Sequence, residues 1–219
     1  MNYRRFMAQS RPVIFEPVAV RAAFVSAAQH LVEVTAAVPT ASLDELALGT
    51  WTTRDLIGHA ARALVTVPLY LESGAGLVVE ADHAFDYAAV FRSGYADPAA
   101  IDERARQAGQ DLGPDVVAGV RAQLESASEA LERYPDDAPV KSPAGVMRLI
   151  DYLPCRVFEL VVHGEDIKKA VALELPPPRD ALTVALCLTA GWAAESPVGR
   201  QALLGLTGRG GLAPDFTVL

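Results

Sequence analysis

Apolar positions along this chain recur with a period near 3.6 rather than two, the spacing of helices with one buried face. Between Val18 and Val38, the residues Phe24, Ala27, Ala28, Leu31, Val34 and Val38 fall on one stripe, and Pro39 closes the segment. Residues 39–50 read as a connecting loop. A second helix opens at W-T-T-R-D-L. Thr52 and Asp55 have the spacing of a capping box there, with Trp51 ahead of them as a staple residue. Its inward stripe is Leu56, His59, Ala60, Ala63, Leu64 and Val67, and Gly74 and Gly76 end the region. Periodicity then fades. Residues 77–97 suit an irregular loop or a short helix, and a long crossing segment is expected over about 72–97.

Asp97-Pro98 opens a third helix that runs to about Gln110, Gly113-Pro114 interrupts it, and helix resumes from Asp115 to Arg133. Val116, Val120, Leu124, Ala127 and Leu131 point inward on the second part. A Pro-rich loop spans 134–143. The next helix covers about Gly145 to Val171, with Pro154 expected to kink it or to mark a late start. Three prolines at 176–178 precede a helix over about Asp180–Glu195, a short one near Gly199–Leu206 and a loop-like tail. The tail's G-R-G-G at 208–211 lacks the strand–turn–helix setting of a phosphate loop. Strand-like pieces are short, so the reading is an all-α bundle. It divides into an N-terminal arm (1–16), the bundle (17–172) and a short C-terminal helical extension (173–219).

Composition agrees with packed helices. Hydrophobic residues make up 51% but aromatics only 7%, so Ala, Leu and Val carry the core. The formal charge of −8, with no long basic patch, argues against nucleic acid and anionic membranes as partners. No run of about 18 apolar residues predicts a transmembrane helix, and the first residues lack the apolar stretch of a signal peptide. The expected location is the cytoplasm. Cys155 and Cys187 lie inside apolar helical patterns and read as core thiols rather than a disulfide.

One segment does not fit a purely structural role. C-R-V-F-E-L-V-V-H-G-E-D, residues 155–166, places Glu159 and His163 four apart, on one helix face. At about 100° per residue, Arg156, Glu159, His163 and Asp166 share a polar arc beside the apolar one of Leu153, Leu160, Gly164 and Ile167. Polar groups beside a buried stripe are costly unless paired or bound to a metal. His59, on the inward stripe of another helix, supplies a third ligand. His59, Glu159 and His163 together would hold one divalent cation, with a coordination position left open. Asp166 either orients His163 or is an exposed charge near the helix end. Arg156 either binds an anionic group beside the metal or pairs with Glu159 or Asp166. His30 and His83 lack such company and read as surface or loop residues.

W-T-T-R-D-L-I-G-H at 51–59 and R-V-F-E-L-V-V-H-G-E-D at 156–166 resemble, in order and spacing, the two signatures of the mycothiol-dependent maleylpyruvate isomerase N-terminal domain. The resemblance covers about residues 15–172. It implies a DinB-like up-down four-helix bundle with additional C-terminal helices here. It also implies zinc on His59, Glu159 and His163, and mycothiol as a thiolate in the open position. The expected activity is a mycothiol-using isomerase or thiol transferase acting on a small electrophilic substrate, with Arg156 and Asp166 serving the chemistry. The alternative is a non-catalytic DinB-like metal-binding bundle with a stress-related or structural role.

Overall fold

In the computed structural model, residues 15–81, 84–88 and 97–219 are described. Helix α1 (Pro17–Ala37) starts on a proline, which loses nothing at a position whose N–H has no intrahelical partner. Strands β1 (Leu46–Leu48) and β2 (Trp51–Thr52) form a small antiparallel hairpin turned at Gly49, whose φ of 57° suits glycine. This hairpin occupies what reads in the sequence as plain loop. Helix α2 (Thr53–Gly74) follows at once, and its capping box is complete. The Asp55 N–H donates to Thr52 Oγ1 at 3.2 Å, and the Thr52 N–H donates to Asp55 Oδ2 at 3.0 Å.

Helix α3 (Pro98–Asp111) is capped by Asp97 and α4 (Val116–Arg133) by Asp115, so the Gly-Pro break divides two helices as expected. The following region departs from expectation. Strands β3 (Pro139–Ser142) and β4 (Gly145–Arg148) pair antiparallel, so the long helix α5 (Leu149–Ala170) begins four residues later than its sequence pattern suggests. Val140 and Met147, a cross-strand pair, are fully buried, and that burial favours the hairpin. Pro154 lies inside α5 rather than at its start. The two strands deliver the chain into the helix: the Leu149 N–H donates to Ala138 O and the Ile150 N–H to Asp136 O, satisfying first-turn donors. Helices α6 (Arg179–Ala194) and α7 (Gly199–Leu206) close the chain near their expected bounds.

Four long helices surround the main core. Both α1 and α2 pack against α4 and against α5, so α1 and α2 face each other across the bundle. Phe24 and Leu31 of α1, Leu56 and Leu64 of α2, and Tyr152, Leu153 and Ile167 of α5 are fully buried between them. Arg21 ties α1 to the end of α4: its guanidinium donates to Leu131 O and Tyr134 O and pairs with Asp136 at 2.7 Å. Helix α6 lies on α1 and α5, and α3 lies on α2.

The α2–α3 contact is unusually close. A Cβ built on Gly58 would lie 2.2 Å from Gly109 N, so two glycines let the backbones touch. The segment expected to cross over 72–97 begins with the last turn of α2. It then runs along β4, where Glu80 and Ala81 donate to Val146 O, and reaches a short 3₁₀ turn at Ala84–Tyr87. Ala81 makes one isolated parallel bridge to Met147. Residues 82–83 and 89–96, His83 among them, lie outside the described residues. His30 is buried rather than exposed, because α1 is covered by α4, α5 and α6 and its buried face is correspondingly wide. No helix among the described residues is long and apolar enough to cross a membrane.

Candidate metal centre

Three of the side chains singled out in the sequence meet at one point. His59 comes from the second turn of α2, Glu159 and His163 from adjacent turns of α5. One ligand atom from each lies within 4.8 Å of the other two. The i,i+4 spacing turns Glu159 toward His163, whose Nε2 is 3.1 Å from Glu159 Oε2. The His59 ring meets the His163 ring edge-on, centroids 4.7 Å apart. Asp166, one turn further along α5, sits 3.0 Å from His163 Nδ1. Of its two readings, the orienting one is therefore the geometry found: a carboxylate on the far nitrogen leaves Nε2 facing the cluster.

Burial and neighbouring charges set the protonation of each member of this cluster. Burial, then the nearby His163, lowers the His59 pKa to about 4, so its imidazole is neutral at physiological pH. Burial alone would raise the Glu159 carboxyl, but the His163 hydrogen bond and the Arg156 charge outweigh it and hold the pKa at about 2. Burial alone would lower His163, but its hydrogen bonds to Asp166 and Glu159 raise it to about 9. A proton on His163 thus sits where a cation would compete for it. The residues fit a divalent metal: one ionised carboxylate, one neutral imidazole and one imidazole whose far nitrogen is held by a carboxylate. His59 Nδ1 is buried with no hydrogen-bond partner among the described residues, a cost that a bound ion would offset if that nitrogen were its ligand. Tetrahedral zinc with ligands at about 2.0–2.2 Å needs them roughly 3.3–3.6 Å apart; the His163–Glu159 pair, at 3.1 Å, is already that close, and the rest of the cluster lies within 4.8 Å.

The same shifts give a test on metal-free protein. The His163 pKa is raised above its unfolded value of 6.5, so its contribution is full below pH 6.5 and is lost as pH rises through about 9. The His59 pKa is depressed, so its neutral form is favoured by folding above pH 6.5, and stability falls as pH drops toward 4. The thermal midpoint followed by circular dichroism should peak near pH 6.5. It should fall on either side by more than ~3 °C, the shift ~1 kcal/mol produces in a chain of this size. A His163→Gln protein should lose the alkaline arm; an unchanged arm would rule out this origin for it.

Arg156 sits one turn before Glu159 and is buried. Glu159 and Asp166 both turn to His163, so neither ion pair proposed for Arg156 forms. Its guanidinium instead lies 5.1 Å from the Tyr87 ring centroid and 4.7 Å from that of Tyr152, a cation–π cage. Its Nε has no hydrogen-bond partner among the described residues. Tyr152 donates to Thr66 Oγ1 at 2.8 Å, which joins the cage to α2. Neither tyrosine was singled out in the sequence, although Tyr152 stands four residues before Arg156, on its face of the helix. Cys155 is a core thiol: burial raises its pKa to about 12, and its Sγ faces Ala84 O. Cys187 is half-buried, and both cysteines are free.

Sequence reasoning also missed the surroundings of His59. The Trp51 indole lies tilted across the His59 ring with centroids 4.5 Å apart, and its Nε1–H donates to Asp102 Oδ1 at 2.9 Å. Trp51 reads in the sequence only as a residue preceding a helix cap.

Comparison with known proteins adds one match. The family model described as mycothiol maleylpyruvate isomerase N-terminal domain matches residues 24–168, a span that contains every residue of the cluster. No curated protein matches the chain. No solved structure matches it either.

Proposed function

Because the chain belongs to the mycothiol maleylpyruvate isomerase N-terminal domain family, we propose that it is a metal-dependent enzyme, an isomerase or thiol transferase that uses mycothiol on a small electrophilic substrate. The observation that carries this reading is the convergence of His59, Glu159 and His163. Three protein ligands around one ion leave a place for an exchangeable group, the arrangement of catalytic rather than structural zinc. The DinB-like bundle would be the four long helices, of which α2 and α5 supply the ligands, and the location would be the cytoplasm.

When bound, zinc would lower the thiol's pKa and hold it as the thiolate nucleophile. The residues of the chain do the rest. Asp166 keeps His163 Nε2 directed at the cluster, ready to give up its proton to a bound ion. Glu159 contributes one negative charge, which leaves the centre electrophilic. Arg156 holds a fixed positive charge next to Glu159 on the same helix, where an anionic group of the substrate would settle. Addition of the thiolate to a conjugated double bond forms a carbon–sulfur bond and moves the π pair onto the conjugated carbonyl. Rotation and expulsion of the thiolate give isomerisation; protonation of the displaced pair gives transfer.

The test is a titration of zinc-loaded protein with N-acetylcysteine as a simple thiol. Affinity should rise about tenfold per pH unit from pH 6 and level off as the thiol ionises in solution, near pH 8.5. Absent or pH-independent binding would favour the non-catalytic metal-binding bundle instead.

A further inference from the structure

His163 is held at both ring nitrogens, by Glu159 and by Asp166. His59 makes no hydrogen bond among the described residues, and its Nδ1 is buried. A metal-ligating histidine ordinarily has a polar partner on its second nitrogen that fixes the ring plane. For His59 that role falls to packing. One face of its ring is crossed by the Trp51 indole at 4.5 Å and 40°, and the His163 edge lies 4.7 Å away. The indole is itself buried and pinned at its edge. Trp51 Nε1–H donates to Asp102 Oδ1 at 2.9 Å, and the other carboxylate oxygen accepts from Thr50 Oγ1 at 3.2 Å. Asp102 belongs to α3, which the Gly58–Gly109 approach presses against α2 one residue from His59.

We propose that Trp51, held by Asp102, is the positioning residue for His59, so that α3, which supplies no ligand of the His59–Glu159–His163 cluster, sets the affinity of the metal site. This rests on the metal reading above. The pair works as a two-part strut: the indole face fixes the imidazole plane, and the carboxylate fixes the indole. Replacement of the indole by a smaller apolar side chain frees the imidazole to rotate. Removal of the Asp102 carboxylate frees the indole.

Cobalt(II) is the probe, because its visible absorption reports ligand geometry. The wild-type, Trp51→Leu, Trp51→Phe and Asp102→Ala proteins, together with a Trp51→Phe, Asp102→Ala double variant, are titrated with cobalt. Arg106→Ala, which takes from Asp102 only a 4.0 Å ion pair to its other oxygen, serves as a control that leaves the Trp51–Asp102 bond in place. Trp51→Leu should weaken cobalt binding by roughly 10–100-fold, as loss of an outer-shell orienting partner does, and should shift the visible bands. Asp102→Ala should weaken it by a smaller factor and should have no further effect once Trp51 is Phe, because the shared N–H is already gone. Arg106→Ala should match wild type.

In metal-free protein, the His59 ring-proton resonance should move in both the Trp51→Phe and Asp102→Ala variants. That readout does not depend on a bound ion, and circular dichroism of each variant checks that the fold is kept. An unshifted resonance together with wild-type cobalt affinity in Trp51→Phe and Asp102→Ala would overturn the proposal. So would an Asp102→Ala effect that persists undiminished in the Trp51→Phe background. If wild-type protein takes up no stoichiometric cobalt, the metal reading fails and this inference falls with it.

Discussion

The His163→Ala protein should keep its helical circular dichroism spectrum and take up no stoichiometric divalent metal. In the proposed site His163 would supply one of three ligand atoms, and it is the residue around which the other charges are arranged, with Glu159 on one nitrogen and Asp166 on the other. Its removal leaves a carboxylate and a lone imidazole from two helices, too few to compete with water and buffer for an ion. The loss should exceed the ~10–100-fold that a missing outer-shell partner costs. The fold should survive, since the side chain sits at the edge of the core, 17% exposed, rather than within it. Elemental analysis of protein purified after loading with zinc checks this. Full occupancy in a His59→Ala, His163→Ala double variant would dismiss the assignment.

The largest expected effect on stability comes from a residue without a side chain. Gly58→Ala should lower the thermal midpoint by roughly 3–9 °C, from ~1–3 kcal/mol of overpacking at ~3 °C per kcal/mol. The added carbon would lie 2.2 Å from Gly109 N and 2.4 Å from Ala108 C, and backbone atoms cannot swing aside. Helix α3 would have to retreat from α2 and take Asp102 with it. Gly164→Ala is the matched comparison. It too lies in a helix interior, beside a proposed ligand, but a Cβ there meets nothing within 4 Å. Helix propensity then dominates, and the substitution should raise stability by up to ~1 kcal/mol. A Gly58→Ala midpoint that rises, as that of Gly164→Ala should, would show that the close approach at Gly58 is not a tight one.

What could be read from the chain divides along the reach of the interactions involved. Thr52 with Asp55, Asp97 with Pro98, and Asp115 are local signals, and the helix starts they mark are where the structure has them. Glu159, His163 and Asp166 are separated by one turn at a time, so their shared face follows from helical geometry. His59 follows from its inward stripe and from the W-T-T-R-D-L-I-G-H motif that ends on it, and the fold brings that stripe to α5. The failures are long-range. The β3–β4 hairpin depends on the burial of Val140 against Met147 rather than on any alternation visible in P-V-K-S-P-A-G-V-M-R. His30 looked exposed because one stripe does not reveal that three other helices cover α1. Arg156 reads in the sequence either as an anion binder or as a partner of Glu159 or Asp166, and neither reading foresees Tyr87, far away in the chain, across its guanidinium. Trp51 looked like a staple because its partners, His59 and Asp102, lie on two other elements.

The division of the cluster between α2 and α5 has a consequence for how the chain reaches its folded state. Glu159 and His163 can meet as soon as one turn of helix forms, but His59 is about a hundred residues away. An ion that grips all three closes a loop of that length, and loop closure is the step whose entropy cost grows with chain separation. Captured early, the ion would only decorate a nascent helix; captured by all three residues, it acts as a reversible crosslink between distant halves of the chain. If the proposed ion is bound, the order in which the two helices dock and the ion arrives would be part of the folding pathway, and a chain synthesised where the ion is scarce would dwell longer with α2 and α5 apart.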